Sequence, residues 1–220
     1  MRIKKDDKAR HWISLGFLLV AVFFLAGKPL ADGHDWQLRV RRGGISVYTR
    51  PVDASPLLEF RADVELAFPL DKVLALFEDA DKVPLWYHQC VLKERMVDEG
   101  ADSGIYYFVL RLPWPVAARD VVFRQARSRD PATGAVSYAM SALPEERPPV
   151  KGRVRVTYLK TAWHFTPLDS GRTRVDFIQH SDAGGSLPAF LANALVVDIP
   201  FNSLKRFRAL LSGALTDPRG

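Results

Sequence analysis

LPAFLANALVVDIPFNSLKRFRALLSGAL (Leu187–Leu215) is the stretch on which the fold turns. It follows Asp182-Ala183-Gly184-Gly185 and reads as one long helix, with Ser186 as N-cap and Pro188 in the first turn. Phe190, Leu191, Ala194, Leu195, Asp198, Phe201 and Leu204 recur at steps of three or four and predict its inner face. Pro200 falls inside the run and predicts a kink or a split. Almost everything upstream is strand-like, so this face needs a broad sheet to bury it, and the pairing of the two predicts an enclosed space.

Working outward, Ile45–Arg50 reads as a strand after Gly43-Gly44, and Glu59–Leu66 alternates cleanly, with Phe60, Ala62, Val64 and Leu66 on one face. The period then changes to helical: Leu70, Val73, Leu74 and Phe77 follow Pro69, and a helical turn or loop is expected around Asp81–Tyr87. Further strands are expected at Cys90–Val97, Ile105–Arg111, Val121–Ser128, Val136–Ala142, Val154–Phe165 and Arg172–Ser181. Short Gly, Pro and Asp-rich turns separate them, which predicts an antiparallel meander.

A chain of 220 residues with 48% hydrophobic content is long enough for one domain with a real core. Its formal net charge is +6, but the first 27 residues hold five basic side chains against two acidic ones, so half of the excess belongs to the leader. The remaining surplus is weak support for nucleic-acid binding, and none is expected. Zinc-type spacings, a P-loop and a dinucleotide fingerprint are absent from the sequence.

The leader orders a basic stretch ending at Arg10 before the apolar run Trp12–Ala26, as a secretory signal does. That run is short for a membrane span, which needs about 20 residues. Residues 1–31 are therefore expected to be a signal peptide or an N-terminal anchor, and 36–212 the folded domain. Export to a periplasm, with tethering to the inner membrane if the leader stays uncleaved, is the expected location. Cys90 is alone, so stability must come from packing and not from disulfides.

Strand phase predicts which side chains point inward. Because Arg111 should seek water, Tyr106, Phe108 and Leu110 form the interior row of their strand, and Val121, Phe123 and Gln125 that of the next. Val136, Tyr138 and Met140 repeat the logic, as do Val154, Val156 and Tyr158, then Val175 and Phe177. Aromatic rows with a few hydrogen-bonding ends suit a hydrophobic ligand pocket and an ordinary core alike.

The order strand, helices, meander, long helix, together with WQLRVRRGGISVYTR (Trp36–Arg50), PWPVAARD (Pro113–Asp120), TAWHFTP (Thr161–Pro167) and DAGGSLPAFLAN (Asp182–Asn193), resembles the START lipid-transfer domain from Trp36 to about Leu211. The resemblance implies an α+β helix-grip fold: a curved antiparallel sheet wrapped around the C-terminal helix, enclosing a tunnel for one lipid, with no metal, no cofactor and no catalysis. On that reading the lipid contacts are expected from Phe77, Trp86, Tyr106, Phe108, Leu110, Val121, Phe123, Gln125, Tyr138, Met140, Tyr158, Trp163, Phe177, Leu191, Asn193 and Leu195. Sterol-carrying members of the family place an acid and an arginine deep in the tunnel. The matching positions here fall near Tyr106 and Gln125, so an uncharged or weakly polar pocket is expected, and Arg119-Asp120 is expected to be structural.

The implied partners are a lipid or other hydrophobic molecule and, transiently, a membrane surface, with the protein a monomer. Catalytic alternatives have thinner support. His88 and Cys90 could share a strand face, but no third group orients them, and an inert thiol is expected. His164 and His180 fall short of a zinc ligand set and are expected on a solvated face. Three functions stay open: a lipid carrier, a helix-grip enzyme of cyclase or aromatase type acting on a hydrophobic substrate, and a filled-core interaction domain. An enzyme should carry ionisable groups on its inward rows, which the phase assignment makes neutral.

Overall fold

The computed structural model describes residues 35–53, 55–182, 184–185, 187 and 189–215. The leader, the Ser186 cap and Pro188 lie outside the described residues. Ten strands follow in chain order: β1 (Gln37–Arg42), β2 (Ile45–Val52), β3 (Ser55–Leu66), β4 (Cys90–Asp98), β5 (Ser103–Leu110), β6 (Ala118–Arg129), β7 (Val136–Ala142), β8 (Arg153–Arg155), β9 (Leu159–Asp169) and β10 (Arg172–Ser181). Helices α1 (Leu70–Glu78) and α2 (Val83–Trp86) lie between β3 and β4, and α3 (Ala189–Leu211) ends the fold. The strands join one sheet in the order β1-β2-β3-β10-β9-β7-β6-β5-β4, with β8 paired to β6.

Local chemistry accounts for most of these elements. The β3 row Phe60, Ala62, Val64 and Leu66 is buried, and its register partners on β10 bring Val175 opposite Val64 and Phe177 opposite Ala62. Leu70, Val73, Leu74 and Phe77 give α1 its single buried face. Between α1 and the sheet lies a cluster of rings: Phe77 has its centroid 4.7 Å from Tyr138, 5.1 Å from Trp163 and 4.8 Å from Phe165, and Trp163 stacks on Phe177 at 3.7 Å. Each such ring is worth about 3–5 kcal/mol against truncation to alanine, so this cluster anchors the central strands.

The sheet departs from a simple meander in two places. β3 pairs antiparallel with β10, closing the chain over more than a hundred residues, and β8 runs parallel to β6 through Ala118↔Arg153 and Asp120↔Arg155. A single strand over Val154–Phe165 is not formed. The backbone leaves the ladder at Val156–Tyr158, where Val156 N–H still donates to Asp120 O at 2.8 Å, and β9 restarts at Leu159. β1 has no apolar row to mark it in the sequence, because the side chains of QLRVRR are mostly exposed.

The β5–β6 wall is buried on both faces. Tyr106, Phe108, Val121 and Phe123 belong to the main core, while Ile105, Tyr107, Val109 and Val122 form a second cluster covered by Leu143 and Val150. One ion pair fastens this covering segment. Asp120 accepts from Arg155 Nε at 2.8 Å and from Tyr107 OH at 2.7 Å, and Arg155 donates onward to Arg147 O at 2.8 Å.

Helix α3 begins at Ala189 and runs without a break past Pro200. Its phase differs from expectation: Phe190, Ala194 and Asp198 are exposed, while Ala192, Phe201, Ser203, Leu204, Phe207 and Leu211 are buried. The C-terminal half is thus the firmly packed one. Ser203 Oγ ties it down by accepting the His88 N–H at 2.9 Å. Just ahead of the helix, Gly184 has φ +59°, and a Cβ there would sit 2.8 Å from Arg155 O, so the approach of the helix to β8 requires glycine. Among the described residues no helix is long and apolar enough to cross a membrane.

Candidate functional site

Between α3 and the inner sheet face lies a cavity of two adjoining lobes of about 100 and 90 Å³. Tyr87, Leu110, Val156, Gln179 and Ser181 line both lobes and mark their junction. The outer lobe is bounded by β3 (Leu57, Leu58, Phe60), by Leu112 and Arg119, and by Leu187, Ala192, Leu195, Val196 and Ile199 at and before α3. The inner lobe runs under α1 and α2, against Phe77, Val83 and Trp86, and along β5, β6, β7 and β9. Its lining is mostly hydrocarbon and aromatic, with Lys93, Thr161, Gln179 and Ser181 as the polar members.

Of the sequence-expected contacts, Phe77, Trp86, Phe108, Leu110, Val121, Phe123, Met140 and Trp163 line the inner lobe, and Leu110 and Leu195 the outer one. Tyr106, Gln125 and Tyr138 share a different opening, a polar recess of about 280 Å³ with Glu78, Arg95, Asp102 and Arg127. There the Tyr138 hydroxyl donates to Glu78, and burial pushes that phenol up first, with the carboxylate bond adding to it. The remaining four stand elsewhere. Tyr158 is 41% exposed and meets His180 edge-on, because the break after β8 turns it off the inner row. Asn193 caps β3, accepting the Leu58 N–H at 3.1 Å. Phe177 lies behind Trp163, and Leu191 is half-buried away from both lobes.

The expectation of a neutral lining is overturned. Lys93, 7% exposed, lines the inner lobe, with Nζ 3.2 Å from Gln125 Oε1 and 4.6 Å from the centre of the Tyr106 ring. Burial pulls its ammonium down to about 8. Simple alternation from Cys90 would put Leu92 inside; a bulge between Cys90 and Leu92 shifts the phase, leaving Leu92 37% exposed and Lys93 within. Arg119 is also buried and lines the outer lobe, where it donates to Ala117 O and Gly184 O, while Asp120 points to the opposite face. Burial lowers the Arg119 guanidinium as well. Arg119-Asp120 therefore has two roles, one on each side of β6.

Sequence reasoning also missed a neutral polar seam at the junction of the lobes. Thr161 Oγ1 donates to Gln179 Oε1 at 3.1 Å, and Gln179 Nε2 donates to Ser181 Oγ at 3.4 Å. Alternation along β10 from Phe177 would have pointed to Gln179 and Ser181. Asp182, on the outer lobe, is engaged by Thr157 Oγ1 at 2.6 Å and by the N–H groups of Thr157 and Tyr158.

The thiol and imidazoles carry no assembled chemistry. Burial pushes the Cys90 thiol up to about 12, so it stays protonated at neutral pH. His164 Nδ1 lies 2.8 Å from Ser137 Oγ, and His180 Nε2 3.2 Å from Ser55 Oγ. Among the described residues no three His, Cys, Asp or Glu side chains converge on a metal position.

A family model of the START domain matches residues 25–214. An uncharacterized protein of Pseudomonas aeruginosa is 35% identical over 200 residues, which is 91% of this chain and 97% of that one. Mouse phosphatidylcholine transfer protein is 28% identical over 170 residues, covering 76% and 78% of the two chains. Among solved structures, a STAR-related lipid transfer protein from Xanthomonas axonopodis superposes with a TM-score of 0.74 at 34% identity, over 80% of this chain and 98% of that one. The sheet that grips a C-terminal helix over an apolar cavity and the match along nearly the whole described chain lead to one conclusion: this protein belongs to the START domain family.

Proposed function

We propose that the protein binds one lipid in the two-lobed cavity and carries it between membranes. Lys93 and Arg119 bring ionisable groups onto the lining, and with Gln125 Oε1 and the carbonyls of Ala117 and Gly184 as their contacts we read them as binding groups and not as a catalytic pair. The observation that carries this reading is the apolar cavity between α3 and the sheet. A lipid leaving a bilayer would expose hydrocarbon at about 25 cal/mol per Å², and such a lining offers an equivalent dry surface. Each lobe is smaller than the roughly 150 Å³ apolar cavity known to admit benzene, so a whole lipid enters only if the walls part. Phe190 and Ala194 are exposed and Leu195 and Val196 half-buried, so the first turns of α3 are more open to solvent than its buried C-terminal half, and we take them as the wall that moves.

Two exposed aromatics support a docking step. Trp114, 93% exposed, lies in the chain between Leu112 and Arg119, which line the outer lobe; Phe190, 78% exposed, lies in the chain between Leu187 and Ala192, which line the same lobe. Aromatic side chains presented this way suit a membrane interface. The basic end of α3, with exposed Lys205 and Arg206, adds attraction for an anionic surface, whereas Phe201, Leu204 and Phe207 are buried and take no part. The Arg2–Ala26 leader supports export as the setting for this work.

Native mass spectrometry of protein purified from its own cell envelope tests binding, and movement of a fluorescent phospholipid between vesicles tests transfer. A lipid adduct and protein-dependent transfer are expected. Trp114→Ala with Phe190→Ala should slow transfer several-fold while leaving the adduct intact. An envelope-purified chain with no lipid, and no uptake from vesicles, would overturn the reading.

A further inference from the structure

We propose that Lys93 is the receptor for one negatively charged oxygen on the ligand, making the cavity selective for acidic amphiphiles over neutral or zwitterionic ones. The inference rests on the lipid-binding reading and narrows its ligand class.

Lys93 reaches the inner lobe from β4 among Phe108, Phe123 and Trp163. Among the described residues no carboxylate pairs with it; the polar contact of Nζ is the neutral Gln125 Oε1 at 3.2 Å, and the ionisable neighbour is the Cys90 thiol, itself uncharged. The acids of the adjoining polar recess are engaged by another cation, since Arg127 lies 3.3 Å from Glu78 and 3.2 Å from Asp102. An ammonium buried without a counter-charge is costly, and a ligand oxyanion arriving beside it relieves that cost, whereas an ester or a hydroxyl relieves little.

The same geometry works against a choline headgroup at this position. The ring faces that would attract a quaternary ammonium are already met by the protein's own cation, with Lys93 Nζ 4.6 Å from the centre of Tyr106 and 5.9 Å from that of Phe77. A second cation at that place would be repelled. An acyl chain, by contrast, would run, once the walls part, from Lys93 past the shared residues Tyr87, Leu110 and Val156 to the side chains of α3 that line the outer lobe.

The required oxyanion is present both in a fatty acid carboxylate and in an anionic phosphodiester. The experiment uses full-length folded protein stripped of lipid and measures binding of oleate, methyl oleate, dioleoylphosphatidylglycerol and dioleoylphosphatidylcholine by native mass spectrometry and intrinsic tryptophan fluorescence. Oleate should bind roughly tenfold or more tightly than methyl oleate if the carboxylate is the natural group. Both phospholipids carry the phosphodiester, so a preference for phosphatidylglycerol over phosphatidylcholine reads the rejection of the choline cation, and its loss in Lys93→Met points to the phospholipid as the source of the oxyanion. Lys93→Met, which keeps the length of the side chain and removes the charge, should abolish the preference while still binding methyl oleate; Lys93→Arg should keep it. Equal preference in the wild type and Lys93→Met overturns the assignment, as does a wild type that separates neither oleate from methyl oleate nor phosphatidylglycerol from phosphatidylcholine. Binding of none of the four probes overturns the lipid-binding reading itself and this inference with it.

Discussion

Replacing Asp120 by alanine removes the carboxylate that fastens the outer covering segment to the β5–β6 wall. The side chain is 1% exposed and accepts from Arg155 Nε at 2.8 Å, Arg155 Nη2 at 3.3 Å and Tyr107 OH at 2.7 Å. Burial by itself would raise this carboxyl; the bonds from Arg155 and Tyr107 outweigh burial and hold it below its ordinary 3.8. Breaking a buried pair from one side costs about 3–5 kcal/mol, because the surviving charge is left uncompensated. Arg155 keeps carbonyl partners at Pro144 and Arg147, so the lower end, about 3 kcal/mol, is expected. At roughly 2–4 °C per kcal/mol for a domain of this size, Tm should fall by about 6–12 °C. Urea and thermal unfolding of Asp120→Ala, Arg155→Met and the double variant Asp120→Leu/Arg155→Met form the assay. The double variant should recover most of the loss, since an apolar pair replaces a buried ionic one at little net cost. The pH sign follows from the lowered acid: its stabilisation is complete above 3.8 and is lost as pH falls through the folded value, where wild type and Asp120→Ala should converge. A single-variant loss under about 1 kcal/mol would refute the reasoning and leave apolar packing as what holds the segment.

Two other outcomes can be checked on the lipid-free protein and on its Gly184 variant. Lys93 titrates near 8 in place of 10.5, so the cost of burying its charge is fully present below pH 8 and is relieved as pH rises toward 10.5. At 1.36 kcal/mol per pH unit, Lys93→Met should gain up to about 3 kcal/mol at pH 7 and progressively less toward pH 10; a gain that does not change with pH in urea titrations would contradict this. Gly184→Ala, with φ +59° and a Cβ forced onto Arg155 O and Val154, should cost about 1–3 kcal/mol in thermal unfolding, and no loss would show that the approach to β8 has room.

The strand rows that carry regular alternation were legible. Phe60 to Leu66, Val121 to Gln125 and Val136 to Met140 point inward as a period of two requires, and Pro69 with the Leu70–Phe77 spacing marks α1. Where the backbone breaks its own period, residue type misleads. The bulge after Cys90 carries Lys93 into the cavity at a place where a lysine reads as solvated, and the break after β8 turns Tyr158 outward. Residue type also misplaced Phe190, an apolar side chain on a face open to solvent. Long-range closure between β3 and β10, and the parallel β8–β6 pair, leave no local trace because neither is joined by a short turn. The polar elements of the site were therefore the hardest to foresee, since they depend on phase shifts that hydropathy does not encode.

A wall held on both faces has a consequence for discrimination. With Tyr107, Val109 and Val122 packed behind Phe108, Val121 and Phe123, the β5–β6 side of the cavity cannot swell outward without opening a second core. Lys93 is held on the neighbouring strand of this stiff side, while Leu195, Val196 and Ile199 stand on the half-buried turns of α3 opposite. On the proposed function the two ends of a ligand then meet different mechanics: a fixed gauge for the head and a yielding one for the tail, so that chains of several lengths and degrees of unsaturation can share one headgroup requirement.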